Sequence, residues 1–229
     1  KDPVYFMKKY CWIQHPTRGR VQFNLYPFQE GALNLLQKND RNIILKSRQL
    51  GISTLSAGIS LWMMVFQKDK AILVVATKQD TAKNLVTKVK FMYDNLPSWL
   101  QIGFVENNKL ALRLKNGSQV KAVSAASDAG RSEAISLLII DEAAFIEENR
   151  IEEIWGSSQQ TLSTGGRAIV LSTPNGTGNF FHRMWTKAEE GANGFVPIRL
   201  PWTVHPERNQ EWRDKQDDEL GLRMAAQEC

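Results

Sequence analysis

An α/β fold with a largely parallel central sheet is predicted by three features of this 229-residue sequence. Short apolar, β-branched runs alternate with longer stretches whose apolar residues recur at helical spacing. The intervals between the runs are long enough for the crossover helices that parallel strands need. One Asn-Gly pair flanked by alternating residues adds an antiparallel hairpin, which a mixed sheet tolerates at its edge.

Taken in order, residues 1–25 are rich in Tyr, Trp and Lys and read as a peripheral arm or lid contribution. The core is expected over 26–205. Asn42 to Lys46 (NIILK) reads as a strand and Ser53 to Phe66 as the helix after it. Ala71 to Ala76 (AILVVA) is a second buried strand, and Gln79 to Asn95 carries Leu85, Val89 and Met92 at helical spacing. Leu110 to Val123 runs ALRL, Asn116-Gly117, QVKAV, which is a hairpin with a tight turn. Leu137 to Ile140, Ala168 to Ser172 and Phe195 to Leu200 complete the strands. The charged segment Pro206 to Gln227 reads as a terminal helix, so 206–229 is assigned as a C-terminal helix, lid or linker.

Composition narrows the function classes. Apolar residues at 42% and charged residues at 23% are a globular balance, not a disordered one. The longest apolar stretch, near Leu61 to Phe66, is too short to cross a bilayer, and Lys1 to Tyr10 has no signal-peptide pattern. Cys11 and Cys229 give no disulfide framework and no metal pair, which points to a cytosolic setting. His15, His182 and His205 are scattered without metal-binding spacing. A net charge of +5 is compatible with an anionic partner but equally with simple solubility.

The first chemical motif follows the strand NIILK. Lys46-Ser47-Arg48-Gln49-Leu50-Gly51-Ile52-Ser53-Thr54 leads directly into a helical pattern, the context in which backbone N–H groups and a helix N-terminus converge on phosphate. Gly51 supplies permissive backbone, and Ser53 stands where a hydroxyl would ligate Mg²⁺. The usual lysine after that glycine is replaced by Ile52, which cannot neutralise a phosphate. Lys46 and Arg48, at the start of the loop, are the cations placed to compensate.

The second motif is Leu137-Leu138-Ile139-Ile140-Asp141-Glu142, a buried strand with two carboxylates at its carboxyl end. Asp141 is suited to hold Mg²⁺ through its water shell, and Glu142 to orient and deprotonate the attacking water. The strand AIVLS ends in Thr173-Pro174-Asn175-Gly176, so Ser172 or Thr173 can sense the γ-phosphate, although the segment also reads as a plain turn. In Tyr26-Pro27-Phe28-Gln29, the Gln29 amide suits an adenine edge and an aromatic such as Tyr26 suits its ring. Arg131, ten residues before Asp141, is either a surface residue or an arginine finger. Together these motifs specify a P-loop NTPase of the ASCE/RecA-like type. Lys78, Lys83, Lys88 and Lys90 read as a solvated basic helix face with DNA contact as the alternative.

The combination of YPFQ, KSRQLGIST, DAGRS, LLIIDEAAFI and LSTPNG followed by GNFFHRMW resembles the ATPase domain of the large terminase subunit, the DNA-packaging motor of tailed bacteriophages. The resemblance runs from about Tyr5 to Pro201. It implies ATP and Mg²⁺ as cofactors, with Gln29 as the adenine-recognising residue and Asp141 and Glu142 as the metal-binding acid and catalytic base. Ser172, Thr173 and Pro174 correspond to the coupling motif. Arg48 matches a loop arginine proposed as a finger in cis, and Arg131 one supplied in trans; the choice between them stays open. Ile52 departs from many members, while Lys46 fits the displaced lysine that some carry.

The resemblance further implies double-stranded DNA, the portal protein and a small terminase subunit as partners. It also implies a ring, usually pentameric, in the host cytoplasm during virion assembly, whereas an isolated domain can be monomeric. The family's RNase H-like nuclease domain is not expected within these residues. Two rival readings are a nucleic-acid-stimulated, helicase-like ATPase and a degenerate P-loop module that binds without hydrolysing.

Overall fold

Strands that are apolar on both faces must be covered on both faces, and this governs the architecture. The computed structural model describes residues 2–125, 134–162 and 165–228. Helix α1 (Pro3–Tyr10) opens with Asp2, whose carboxylate accepts from the Val4 N–H at 2.9 Å. A small antiparallel ribbon follows, β1 (Trp12–His15) with β2 (Gly19–Gln22), and then helix α2 (Pro27–Lys38). Next come β3 (Arg41–Lys46), α3 (Ile52–Phe66), β4 (Ala71–Ala76) and α4 (Gln79–Asp94). The chain continues through β5 (Phe104–Asn107), β6 (Ala111–Leu114), β7 (Gln119–Ser124) and β8 (Leu137–Ile140). Helix α5 (Glu148–Leu162), β9 (Arg167–Ser172), α6 (Phe180–Glu189), β10 (Val196–Leu200), α7 (Gln210–Leu220) and α8 (Leu222–Glu228) complete it.

The main sheet has the order β10-β3-β9-β8-β4-β7-β6-β5. Every pair from β10 to β7 is parallel, and β6 and β5 form the antiparallel edge. This is the ASCE/RecA-like P-loop architecture. Side chains alternate between two cores. Ile44, Val74, Ile139 and Leu171 face the cluster built with α1 to α4, including Phe6, Leu33, Leu55 and Val89. Ile43, Val75, Ile140 and Val170 face the other, with Ile151, Trp155, Phe181 and Trp185 from α5 and α6.

The predicted hairpin forms with Leu112 opposite Val120 and Arg113 opposite Gln119. Its turn is tied to the end of α3, because the Asn116 amide donates to the Met64 and Gln67 carbonyls. Gly117 has φ +85°, and a Cβ there would collide with the Asp69 carboxylate at 2.0 Å. Two features go beyond the sequence expectation. The edge gains β5, and the first 25 residues are not merely peripheral, since Phe6, Met7, Cys11 and Phe23 are buried in the α1–α4 core. The terminal segment, expected as one helix, is two, broken at Gly221 with φ +77°.

Because β3, β4, β8 and β9 run parallel, their carboxyl ends emerge along one rim of the sheet. The loop after β3, the acids after β8 and the segment after β9 are therefore neighbours in space. Among the described residues, no helix is long and apolar enough to cross a membrane.

Candidate active site

At that rim lies a cavity of about 530 Å³, lined by Lys46, Arg48, Ser53, Thr77, Lys78, Thr81, Asn84, Leu85, Lys88, Asp141, Glu142, Phe145 and Thr173. The loop from Lys46 to Ser53 forms one wall. Gln49 at φ 57° and Gly51 at φ +72° turn it back onto the start of α3. Leu50 and Ile52 anchor it from beneath; Ile52 is only 1% exposed and belongs to the core with Leu55. The position that usually carries lysine is thus a packing position here, and Ile52 does not line the cavity. Lys46 does, from the end of β3. Burial lowers its pKa from the ordinary lysine value, while the Asp141 and Glu142 carboxylates oppose that shift.

The Ser53 hydroxyl donates to Asp141 Oδ2 at 2.7 Å. Asp141 is 7% exposed, and its other oxygen accepts from the Glu142 N–H at 2.9 Å. A helix-start hydroxyl beside a strand-end carboxylate is a hard oxygen pair that suits Mg²⁺, whose remaining ligands come from water and phosphate. Among the described residues no group of three or more His, Cys, Asp or Glu side chains converges.

Glu142 sits in the left-handed region, φ 55° and ψ 37°, an unusual conformation for glutamate that turns the chain away after β8. Its Oε2 accepts from the Thr77 hydroxyl at 2.8 Å. Ser172 is fully buried, and its hydroxyl accepts from the Ala144 N–H at 3.1 Å, while the Asn175 amide donates to the Ala144 carbonyl at 3.0 Å. The end of β9 therefore grips the turn that carries Glu142. Thr173 lines the cavity, and Pro174 follows it.

Other expected residues lie at the loop's periphery. Gln29 is 4% exposed with both ends of its amide engaged: Nε2 donates to the Leu50 carbonyl at 2.9 Å, and Oε1 accepts from the Tyr26 N–H at 3.0 Å. Tyr26 stacks on Phe28 at 5.7 Å, with the His205 ring 4.8 Å from Tyr26. Ser47 turns from the cavity toward the C-terminal segment, its hydroxyl donating to the Glu228 carbonyl at 3.1 Å. Arg48 lines the cavity, but its guanidinium pairs with the Glu228 carboxylate. Thr54 borders a neighbouring cavity of about 430 Å³ beside the β1–β2 ribbon. Arg131 lies outside the described residues.

Thr77 and Lys88 also line the cavity, and the sequence singled out neither for it. The signal for Thr77 is register: Val75 is the partner of Ile140, so two steps on Thr77 stands beside Glu142. The basic face expected on α4 is divided. Lys78 and Lys88 line the cavity with Thr81, Asn84 and Leu85, Lys88 also bordering the cavity beside the ribbon, whereas Lys83 and Lys90 border a different groove near Lys109.

Solved structures support the fold. The large terminase ATPase domain of Thermus phage P74-26 matches with TM-score 0.73 and 21% identity, covering 90% of this chain and 92% of that one. The HK97 bacteriophage large terminase matches with TM-score 0.72 and 18% identity over 98% of this chain and 47% of that one, so the chain spans about half its length. The UvsW helicase of bacteriophage T4 shares the fold at TM-score 0.57 and 15% identity, covering 87% of this chain and 67% of that one. The family described as terminase large subunit, T4likevirus-type, N-terminal, matches residues 43–223, most of the sequence, and the chain belongs to that family.

Proposed function

We propose that this chain binds ATP with Mg²⁺ and hydrolyses it, as the motor domain of a large terminase that drives double-stranded DNA into a procapsid. The observation that carries the hydrolytic reading is the Ser53–Asp141 hydrogen bond at 2.7 Å, with Glu142 as the next residue in the same cavity. Backbone N–H groups of Gln49 to Thr54 and the start of α3 receive the phosphates. Ser53 and Asp141 would hold Mg²⁺, which when bound offsets the charge of the triphosphate oxygens. Lys46 takes the part of the missing loop lysine, stabilising the transferring phosphoryl group. Glu142, oriented by Thr77, aligns the attacking water and accepts its proton.

Tyr26 and Gln29 belong to this reading as the adenine side of the site, Gln29 reaching the base once its bonds to Leu50 and Tyr26 open, and Arg48 or Arg131 as the finger. Arg48 can serve in cis once its pair with Glu228 opens. Ser172, Thr173 and Pro174 couple phosphate loss to movement, through the bonds that Ser172 and the following Asn175 make to Ala144. Family membership supports DNA, the portal protein, the small terminase subunit and a ring of copies as partners. A helicase-like activity is the second reading, favoured by the fold shared with the UvsW helicase. Strand separation without duplex translocation would select it.

The test is single-turnover hydrolysis of radiolabelled ATP by the wild type and by Glu142→Gln. The variant is expected to bind ATP and leave it intact. Equal hydrolysis by both proteins rules out Glu142 as the base.

A further inference from the structure

Helix α4 presents two lysine-bearing stripes, each at the i, i+3, i+4, i+7 spacing of one helix face. Lys83, Val86, Thr87 and Lys90 form the outer stripe, and both of its lysines are paired: Lys83 with Asp80 at 3.5 Å and Lys90 with Asp94 at 2.8 Å. Thr81, Asn84, Leu85 and Lys88 form the inner stripe, which lines the cavity holding Lys46, Asp141 and Glu142. The Lys88 ammonium makes no hydrogen bond or ion pair with any described residue.

That combination calls for an anion. A part-buried ammonium given no partner is costly, and the cost falls when a negative ligand arrives. Burial lowers the Lys88 pKa and Lys46 adds repulsion, while Asp141 offers partial compensation. Lys46 and Lys88, both part-buried, therefore line one cavity with the exposed Lys78, Lys46 from the end of β3 and Lys88 from α4. A solvated helix face gives no reason for this arrangement; a polyphosphate held between them does.

We propose that Lys88 is a second phosphate-binding cation of this site, reaching the terminal phosphate of a bound nucleoside triphosphate from the α4 wall. It supplies positive charge that Ile52 does not. The assignment rests on the ATP-site reading above. Lys46 comes from the strand that feeds the loop and Lys88 from α4, both lining the cavity that contains Glu142. A lysine placed there discriminates a triphosphate from a diphosphate.

The experiment measures equilibrium binding of a slowly hydrolysed ATP analogue and of ADP, each with Mg²⁺. The proteins are the wild type, Lys88→Met, Lys88→Gln, Lys88→Arg and the outer-stripe control Lys90→Met. Lys88→Met keeps the aliphatic stem, and thermal melting identifies which of the two neutral variants is folded. Loss of one charge-assisted phosphate contact should weaken analogue binding about 10- to 100-fold. ADP binding should stay within about twofold, with Lys88→Arg retaining most of the analogue affinity and Lys90→Met behaving as wild type. A folded neutral variant that keeps the wild-type preference for the analogue over ADP overturns the role of Lys88 alone. A wild-type protein that binds neither nucleotide overturns the ATP-site reading itself.

Discussion

The Thr77 hydroxyl donates to Glu142 Oε2 at 2.8 Å, linking the ends of two adjacent parallel strands. In the proposed mechanism Thr77 fixes one oxygen of Glu142 and the other takes the water. Thr77→Val should lower the hydrolysis rate constant about 10-fold or more through misalignment, with nucleotide affinity unchanged, and Thr77→Ser should restore it. Single-turnover rates beside equilibrium binding constants separate this from a loss of binding.

Ile52 stands where a loop lysine is usual, yet it is a core residue packed with Leu50 and Leu55. Ile52→Ala should therefore cost about 2–5 kcal/mol of stability, read from the denaturant midpoint. An unchanged midpoint would mean that the side chain is not held in the core.

How much of this was legible in the sequence follows from what each residue reports. The strands 71–76 and 137–140 lie within the expected bounds because a parallel, doubly covered strand is a continuous apolar run between polar ends. The cavity brings together Lys46, Arg48, Ser53, Asp141, Glu142 and Thr173, which sequence reasoning selected, because strand ends and helix starts fix where such residues go. β5 was not legible: its residues Val105, Glu106 and Asn107 are exposed, so they carry no burial pattern. Lys88 was hidden by its neighbours, since Lys83 and Lys90 make the whole helix read as a basic face. The engaged amide of Gln29 depends on how the loop folds back, which no local pattern encodes.

The C-terminal helix holds the loop from outside. Glu228 pairs with Arg48 through its carboxylate, and its carbonyl accepts from the Arg48 N–H at 2.7 Å. A carboxylate beside a phosphate loop repels the ligand and occupies the arginine. Glu228→Gln should tighten ATP-analogue binding about two- to fivefold at low ionic strength, with the gain shrinking in high salt. Calorimetric titration at two salt concentrations checks both parts; weaker binding by the variant would mean that Glu228 supports the site.

Ser172 joins the end of β9 to the turn after Glu142 through the Ala144 N–H. Ser172→Ala strands that buried donor and should cost about 1–3 kcal/mol in a denaturation curve. Because the same bond places the Glu142 turn, hydrolysis should slow in the variant even when it remains folded at the assay temperature. Full activity in a destabilised variant would confine Ser172 to stability.

The most direct measurement is steady-state phosphate release from ATP and Mg²⁺ by the wild type and Lys46→Ala, across a range of protein concentrations. Turnover by the wild type and a fall of about 100-fold or more in Lys46→Ala are expected if the displaced lysine stabilises the transferring phosphoryl group. Lys46→Ala turning over at the wild-type rate would contradict it, leaving the phosphate loop without its principal cation.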